Sequence, residues 1–377
     1  MYDIFMKKNI WNLIYCIYLC TALNNRGVAQ LASALAWGAR GRKFESFHPD
    51  QKQSNYSDHM MNRRNFIKDA AAFAALSVAA PLEDGAAGVL SAVPQPKQEK
   101  TEIYSFSKLF QFLNYDELAA VFKEAGIDGI DLTVRKGGHV EPENVETDLP
   151  KAVNAAIKQG ISLPSIVTDI ADADHPLILR VIKTAAENGV KFYRMAYFRY
   201  DYQISMPDNF EIFRTRMEKL GELNAKYNIN GGYQNHNGAN FGGNTWEIWE
   251  VIKNMDKKWI GCFYDIYHGI VEGLQSWPNA MRAIAPHITQ RYIKDFYLNA
   301  TEKNARVVVC ELGKGMVNFT QYFRICKELN LNQPFCLHVE YELFTEDERK
   351  HLSHTEKYKK ALMIMKRDTD TLKSMMA

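Results

Sequence analysis

Short apolar segments alternate with longer amphipathic segments along the chain from Glu102 to its C-terminus. Apolar runs of this length are typical of buried strands, and apolar residues repeating every three or four positions are typical of helices. The amphipathic segment 116–126 ends at Gly126, and similar segments end at Gly160 and Gly189, each followed at once by an apolar run. Because a glycine commonly terminates a helix, this repeat predicts parallel β-α-β units. The predicted strands begin near residues 102, 129, 162, 191, 230, 260, 289 and 335.

Eight such units predict a single domain, 101–377, whose strands close into a (β/α)8 barrel, the TIM barrel fold. This segment is close to the size of one such barrel, which is about 250 residues. A doubly wound open sheet is the alternative architecture, but eight units favour closure. The long interval before the eighth strand holds an additional short strand at 307–310.

Residues 1–60 are predicted to be an extension that does not belong to the functional protein. Residues 27–46 resemble the peptide obtained when a transfer-RNA gene is translated, which indicates a mis-assigned start and a true start at Met60 or Met61. The apolar run 9–23 is too short to cross a bilayer, which takes about 20 apolar residues, so no stable membrane anchor is expected.

Residues 61–80 resemble a twin-arginine export signal, and 81–100 are interpreted as a linker because they contain prolines and glycines. The signal pattern is a pair of arginines followed by a phenylalanine, an aliphatic residue and a lysine, then a weakly apolar alanine-rich run. Cleavage after Ala80 and cleavage near Ala92 both fit. The chain is therefore predicted to be exported to the periplasm. The residues that carry the pattern are Arg63, Arg64, Phe66, Ile67 and Lys68.

The composition narrows the classes of function. The chain has 46 Lys and Arg against 44 Asp and Glu, a formal net charge of +2, whereas nucleic-acid binders are usually strongly and locally basic. Six cysteines without a CxxC pair argue against a disulfide scaffold and a zinc ribbon. A small-molecule partner is therefore expected and a nucleic acid is not, while the oligomeric state stays open, a homo-oligomer included.

Polar and ionisable residues cluster where the predicted strands end, whereas the strand starts are apolar. In (β/α)8 barrels the loops after the strands converge on one face, and catalytic residues come from these strand ends. The sequence therefore predicts an active site at the carboxyl-terminal mouth of the barrel. The polar strand ends are Arg194 on the fourth strand, Gln234-Asn235-His236 on the fifth, Asp265 to His268 on the sixth, Lys294-Asp295 on the seventh and His338 to Glu340 on the eighth, and His139 follows the second.

The order of these motifs, together with a Leu-Gly-x-Gly loop after the seventh strand, resembles the xylose-isomerase-like barrels. That superfamily includes sugar isomerases, ketose 3-epimerases, inosose dehydratase and an abasic-site endonuclease. The resemblance implies one divalent metal ion, held by Glu, Asp, His and Glu from strands five to eight. Asp265 and Glu340 match two of these ligands, whereas Gln234 stands in place of the first Glu and Tyr292 in place of the His.

The chemistry implied by the resemblance is the removal of a proton next to a sugar carbonyl. A metal bridging the carbonyl and hydroxyl oxygens stabilises the enediolate, and a carboxylate or a histidine moves the proton. Oxygen ligands and imidazole suit Mg²⁺, Mn²⁺, Co²⁺ or Zn²⁺. The predicted metal ligands are Asp265, Glu340, Gln234 and His236, the predicted catalytic residues are Glu340, His236 and Lys294, and the predicted substrate-binding residues are His268, His139, Arg194 and Trp277.

Two of these residues have alternative roles. His236 lies two positions after Gln234 on the same strand face, so it either replaces the missing ligand or acts as a second acid. Lys294 faces the same side as Tyr292, where it either polarises a carbonyl in place of the metal or forms a solvated ion pair with Asp295.

The predicted function is a sugar isomerase or epimerase acting on a non-phosphorylated or oxidised sugar, because the chain shows an export signal and no phosphate-cradling glycine loop. A keto-sugar lyase or hydratase using the same enolate chemistry is one alternative, and a non-catalytic carbohydrate-binding barrel is the other. An abasic-site endonuclease is opposed by the export signal, the near-neutral charge and the small number of histidines. The fold alone does not decide among these functions.

Overall fold

Eight parallel strands form a closed barrel in the computed structural model, which describes residues 101–301 and 305–376. The barrel strands are β1 Ile103–Phe106, β2 Gly129–Val134, β3 Ser162–Thr168, β4 Phe192–Arg194, β5 Asn230–Gln234, β6 Ile260–Asp265, β7 Ile288–Ile293 and β10 Phe335–Leu337. Neighbouring strands follow the order β1, β10, β7, β6, β5, β4, β3 and β2. This arrangement confirms the predicted single (β/α)8 barrel, and every observed strand begins within one residue of its predicted start.

Helices alternate with the strands along the chain. They are α1 Tyr115–Glu124, α2 Val145–Lys158, α3 Ile178–Glu187, α4 Met206–Tyr227, α5 Thr245–Ile252, α6 Ile266–Gly273, α7 Trp277–Ile284, α8 Phe319–Glu328, α9 Glu346–His351 and α10 His354–Met376, with short 3-10 helices at Lys108–Phe110, Pro142–Asn144, Leu274–Ser276 and Ala285–His287.

Helix α1 shows why the sequence marks the ends of its helices. The Asn114 side chain accepts the backbone N–H of Glu117 at 2.9 Å, and the Glu117 carboxylate accepts the backbone N–H of Asn114 at 3.0 Å. This reciprocal pair is a capping box, which satisfies two N–H groups that the helix leaves free. At the other end Gly126 has a φ of 80°, a left-handed conformation that glycine adopts without strain. The predicted helix 116–126 is therefore confirmed as α1 and its glycine stop.

An antiparallel hairpin follows β7 and is not part of the barrel. It pairs β8, Asp295–Ala300, with β9, Ala305–Cys310, in a register that runs from Asp295 opposite Cys310 to Ala300 opposite Ala305. The predicted short strand 307–310 lies within β9. Strand β8 was not predicted, because only Lys294 separates it from β7 and the two strands form one run in the sequence.

The side chain of Asp295 stabilises the base of this hairpin by hydrogen bonds. Its carboxylate accepts four backbone N–H groups at 2.9–3.1 Å, from Phe296, Gly313, Gly315 and Val317. Asp295 is 1% exposed, so it is a buried loop anchor and not a solvated partner of Lys294.

The interior of the barrel holds an apolar cluster that is separate from the larger core. Its buried members are Tyr104, Phe106, Val167, Phe263, Tyr292 and Cys336. Gly232 on β5 belongs to the same tight packing, because a Cβ atom added there would lie 1.9 Å from Cε1 of Phe263. Interior packing of this density leaves no room for a methyl group.

The first prediction concerns this close contact. Gly232→Ala is expected to lower the free energy of unfolding by at least about 1–3 kcal/mol, because the methyl group must displace the Phe263 ring. Thermal unfolding followed by circular dichroism measures the effect. Gly221→Ala is the control, since Gly221 lies in α4, its added Cβ would meet Ile260 at 3.2 Å, and alanine favours a helix. An equal loss of stability in both variants would contradict the close contact between Gly232 and Phe263.

Three predicted segments lie outside the described residues: the extension 1–60, the export signal 61–80 and the linker 81–100. Within the described part of the chain, no helix is both long enough and apolar enough to cross a membrane.

Candidate active site

Lys294 occupies the centre of the barrel mouth between two carboxylates. Its Nζ lies 3.2 Å from Oδ2 of Asp265 and 2.7 Å from Oε2 of Glu340. The side chain of Lys294 is 3% exposed, and those of Asp265 and Glu340 are 0% and 17% exposed. The closure of the barrel produces this contact, because Asp265 ends β6, Lys294 follows β7 and Glu340 follows β10.

The pKa values of the three groups follow from this arrangement. Burial alone would lower the pKa of Lys294, but the charges of Asp265 and Glu340 outweigh burial and raise its pKa above the ordinary value. Burial would raise the pKa of Glu340, yet the nearby Lys294 ammonium holds it well below the usual range. For Asp265 burial dominates and raises the pKa to about 6, although Lys294 opposes the shift. The site therefore holds a charged lysine and a charged Glu340 near neutral pH.

Asp265 is held on both of its carboxylate oxygens. It is the N-cap of α6, and Oδ1 accepts the backbone N–H groups of Tyr267 at 3.1 Å and His268 at 3.4 Å. Oδ2 accepts the side-chain amide of Gln234 at 2.8 Å and contacts Lys294. A strand end that is also a helix N-terminus therefore fixes this carboxylate next to the lysine.

The amide of Gln234 has one orientation that its neighbours allow. Its Nε2 donates to Asp265, while its Oε1 accepts from Arg194 Nη1 at 2.9 Å and from the Tyr197 hydroxyl at 2.7 Å. Arginine only donates and an ionised carboxylate only accepts, so the carbonyl of Gln234 must point to Arg194. Oε1 of Gln234, which the sequence predicted to be a weak metal ligand, is therefore occupied by hydrogen bonds from Arg194 and Tyr197.

The four positions that the resemblance assigns to a metal do not fit a divalent ion in this arrangement. The ammonium of Lys294 lies between Asp265 and Glu340, the carbonyl of Gln234 is turned to Arg194, and the hydroxyl of Tyr292 hydrogen-bonds to Asp131 Oδ2 at 3.3 Å. The site keeps the electrostatic balance that the resemblance implies: three carboxylates with one divalent ion carry the same net charge as two carboxylates with one ammonium.

A small pocket of about 100 Å³ opens above Lys294. Two of its cations, Lys108 and Arg135, come from the loops after β1 and β2, and Nζ of Lys108 lies 3.1 Å from Oε1 of Glu340. Four cationic side chains therefore face a single lining carboxylate. The lining residues are Phe106, Lys108, Arg135, Arg194, Tyr197, Gln234, His236, Lys294, His338 and Glu340.

Two predicted histidines pack against each other beside the pocket. The rings of His236 and His268 are 4.0 Å apart, and only His236 lines the pocket wall. Burial, followed by the charge of Lys294, lowers the pKa of His236 to about 4, so the ring is neutral at physiological pH. Its Nδ1 lies 3.0 Å from the backbone carbonyl of Asn237. Because a carbonyl only accepts, Nδ1 carries the proton and Nε2 is the acceptor.

The structure brings most of the predicted site residues together. Glu340, Lys294, His236, Gln234 and Arg194 line the pocket, Asp265 lies beneath Lys294, and His268 lies behind His236.

Two predicted substrate-binding residues are elsewhere. His139, in the loop after β2, is not among the pocket-lining residues, and its Nδ1 lies 3.1 Å from the hydroxyl of Thr133 on β2. Trp277 begins α7, is 5% exposed and packs against Tyr322. An indole at the start of a helix gives no sequence signal that separates a packing role from a sugar-binding role.

Sequence reasoning assigned no role to five lining residues, namely Phe106, Lys108, Arg135, Tyr197 and His338. Only His338 had a usable signal, because it lies two positions before Glu340, and side chains two apart on a strand share a face. Its ring lies between the rings of Phe106 and Tyr292, at centroid distances of 4.7 Å and 4.1 Å. Phe106 ends β1 and read as an ordinary apolar strand residue, whereas Lys108, Arg135 and Tyr197 follow strands in segments whose path the strand pattern does not predict.

The closed parallel barrel and the ionisable cluster at the carboxyl ends of its strands define a (β/α)8 barrel with a candidate active site in the usual place for this fold. The sequence profile of the family described as xylose isomerase-like TIM barrel matches residues 119–367. The chain belongs to this family.

Solved structures of similar fold include several sugar epimerases. D-psicose 3-epimerase of Clostridium cellulolyticum H10, solved with D-tagatose, aligns with a TM-score of 0.54 and 10% identity over 73% of this chain and 99% of that one. The 3-keto-D-glucoside 4-epimerase of E. coli aligns with a TM-score of 0.52 and 16% identity over 71% of this chain and 99% of that one. A xylose isomerase-like protein of Mycobacterium smegmatis, solved with magnesium, aligns with a TM-score of 0.53 and 14% identity over 74% of this chain and 99% of that one. At these identities the likeness concerns the fold, and no curated protein sequence matches the chain.

One observation in the chain itself suggests a divalent metal. Within the described ranges, Asp131, Cys336 and His338 form a buried group whose ligand atoms lie within 4.8 Å of one another. Asp131 and Cys336 lie on barrel strands away from the pocket lining and His338 borders the pocket, so this group differs from the ligand positions that the resemblance implies.

Proposed function

We propose that the protein is an enzyme of the sugar isomerase or epimerase type, which moves a proton next to the carbonyl of a small carbohydrate. The observation that carries this proposal is the ammonium of Lys294, held at 2.7 Å from a charged Glu340 at the base of the pocket. Proton abstraction next to a carbonyl needs a base and a positive group for the developing enediolate oxygen. The family and the sugar epimerases of similar fold support this reaction class.

Glu340 is the base and Lys294 is the electrophile in this proposal. A substrate carbonyl oxygen that accepts a hydrogen bond from Nζ of Lys294 competes with Glu340 for the ammonium. The pKa of Glu340, which Lys294 holds low, then rises toward the range in which a carboxylate abstracts a proton. The ammonium stabilises the enediolate in a buried site, where a charge acts more strongly than in water.

His236 supplies a second proton-transfer group. Its neutral ring lines the same pocket, and Nε2 is the free acceptor. An isomerase can move one proton between neighbouring carbons with a single base, whereas an epimerase needs groups on both faces of the reacting carbon. Glu340 from β10 and His236 from β5 come from separate parts of the barrel wall, and this separation favours epimerisation.

The substrate in this proposal is a non-phosphorylated sugar, and an oxidised one fits best. Lys108, Arg135, Arg194 and Lys294 line the pocket with Glu340 as the single lining carboxylate. A sugar acid would place its carboxylate against the outer cations, while Lys294 remains for the carbonyl. The volume of about 100 Å³ receives the reacting end of such a molecule and leaves the rest in the open mouth.

Solvent deuterium exchange tests this function. The purified protein is incubated in D₂O with keto sugars, uronic acids and aldonic acids, and proton NMR follows the loss of the signal next to the carbonyl. Exchange, with or without a new sugar, supports the proposal. Appearance of an unsaturated product assigns the lyase alternative instead, and absence of exchange with every compound contradicts the proposal.

Export is part of the same proposal, and it yields a second prediction. Arg63→Lys combined with Arg64→Lys is expected to keep the chain in the cytoplasm, because the arginine pair is the feature that the export pathway requires. Cell fractionation and immunoblotting measure the distribution. The control replaces Arg324 and Arg349, two exposed arginines of the barrel, by lysine. Equal fractions of periplasmic protein in both variants would rule out the signal.

A further inference from the structure

Three buried side chains of different chemistry converge inside the barrel. Asp131 lies on β2, Cys336 on β10 and His338 just after β10, and a carboxylate oxygen, the thiol sulfur and a ring nitrogen lie within 4.8 Å of one another. The pairing of β1 with both strands creates this group, because Phe106 is opposite Asp131 and Tyr104 is opposite Cys336. The thiol of Cys336 lies 3.6 Å from Oδ2 of Asp131 and donates to it.

Two polar atoms of this group, Oδ1 of Asp131 and Nε2 of His338, have no hydrogen-bond partner. The other ring nitrogen of His338, Nδ1, lies 3.6 Å from Oε2 of Glu340. Asp131 is 0% exposed and His338 is 3% exposed, so water does not reach them freely. A buried polar atom without a hydrogen-bond partner is unfavourable, because it has lost its contact with water and gained nothing in return. Two such atoms next to a thiol indicate that a ligand completes the cluster.

We propose that Asp131, Cys336 and His338 bind one divalent transition-metal ion, with Zn²⁺ as the best match. An oxygen, a sulfur and a nitrogen ligand are the donors that zinc takes in proteins. Three protein ligands leave a fourth position, and the hydroxyl of Tyr292 lies 3.3 Å from Oδ2 of Asp131. The site therefore has either the phenol or a small molecule as its fourth ligand.

The distances require a small adjustment only. Tetrahedral zinc with bonds of about 2.0–2.3 Å places its ligand atoms roughly 3.5 Å apart. Cys336 and Asp131 already meet this spacing. The ring of His338 must shift against the rings of Phe106 and Tyr292 to close the remaining distance. Its polar contact in this structure, from Nδ1 to Oε2 of Glu340 at 3.6 Å, is long and opposes this shift only weakly.

The charges also balance. Binding converts the Cys336 thiol to a thiolate, and its proton passes to solvent. The thiolate and the Asp131 carboxylate then neutralise a divalent ion, so the buried complex carries no net charge. The argument for this site does not rest on the proposed sugar chemistry, although His338 also lines the pocket. The site differs from the mouth positions in one measurable way, since it alone includes a sulfur ligand.

Cobalt spectroscopy of the full-length protein tests the site. All samples carry Cys16→Ser and Cys20→Ser, so that these two cysteines outside the described residues do not contribute. Co²⁺ is added to metal-stripped protein, and the thiolate-to-cobalt charge-transfer band is recorded together with the bound metal per chain. About one equivalent of Co²⁺ and a strong band are expected, and added Zn²⁺ is expected to displace the Co²⁺.

Variants assign the ligands. Cys336→Ser is expected to abolish the band, whereas Cys262→Ser, which removes another buried thiol, and Asp265→Asn at the mouth are expected to retain it. If Cys336→Ser fails to fold, Asp131→Asn and His338→Gln, each expected to weaken Co²⁺ binding at least 10-fold, take its place. Cobalt bound without the band and lost in Asp265→Asn would place the metal at the mouth and overturn the proposal, and so would the absence of bound metal in the folded protein.

Discussion

Replacing Lys294 by methionine is expected to destabilise the protein by about 3–5 kcal/mol. The change removes the cation that lies 3.2 Å from Asp265 and 2.7 Å from Glu340 and leaves two buried carboxylates facing each other. Removing one partner of a buried ion pair typically lowers the free energy of unfolding by this amount, because the remaining charges stay desolvated without a partner. In thermal unfolding the midpoint should fall on the order of 10 °C.

Two further variants separate this effect from a general loss of packing. Lys294→Met combined with Glu340→Gln removes one of the opposed charges, so it should recover part of the lost stability. Lys350→Met removes an exposed lysine that pairs with Glu346 on the surface, and its effect should stay within about 0.5 kcal/mol. A single Lys294→Met variant as stable as the unaltered protein would contradict the central ion pair.

Replacing Glu340 by glutamine is expected to reduce deuterium exchange about 10²- to 10⁴-fold, the usual contribution of a general base. The amide has nearly the same shape as the carboxylate, and Asp265 still holds Lys294, so the fold should be retained. The measurement uses the substrate found in the exchange screen, with circular dichroism to verify folding. Glu346→Gln, an exposed position in α9, is the control.

The Glu340→Gln result also chooses among the remaining groups of the pocket. Full exchange and full turnover in this variant would exclude Glu340 as the base and would assign proton transfer to His236. Loss of product with exchange retained would show that another group abstracts the proton and that Glu340 delivers the proton that completes the reaction.

The barrel could be predicted because its signals are local. Each apolar run marks a strand, and glycines such as Gly126 and Gly160 mark the ends of the helices before the next strand. The hairpin strand β8 could not be separated from β7, since only Lys294 lies between them and apolar residues stand on both sides of the Lys294-Asp295 pair. That boundary depends on Asp295, whose role becomes visible only when the N–H groups of residues 313–317 approach it.

The residues of the candidate active site could be predicted from the sequence, but the contacts among them could not. Asp265, Lys294 and Glu340 each lie at a strand end, which the sequence shows. Their mutual distances depend on which strands become neighbours when the barrel closes, since β7 separates β6 from β10. The orientation of the Gln234 amide depends in turn on Arg194 and Tyr197, two residues from other parts of the chain.

The hydrogen bonds that hold the base of the β8–β9 hairpin also limit which parts of this segment can change in sequence and length. Asp295 binds the backbone N–H groups of Gly313, Gly315 and Val317 at the base of the hairpin, one peptide away from Lys294. A side chain at Gly315 would lie 2.2 Å from the Asp295 carboxylate, so the base tolerates little change. Among the described residues beyond the base, 297–300 and 305–310 carry none of these hydrogen bonds to Asp295. During evolution, the outer part of the hairpin can therefore be lengthened, shortened or exchanged, while the Lys294 ammonium keeps its position at the centre of the barrel mouth.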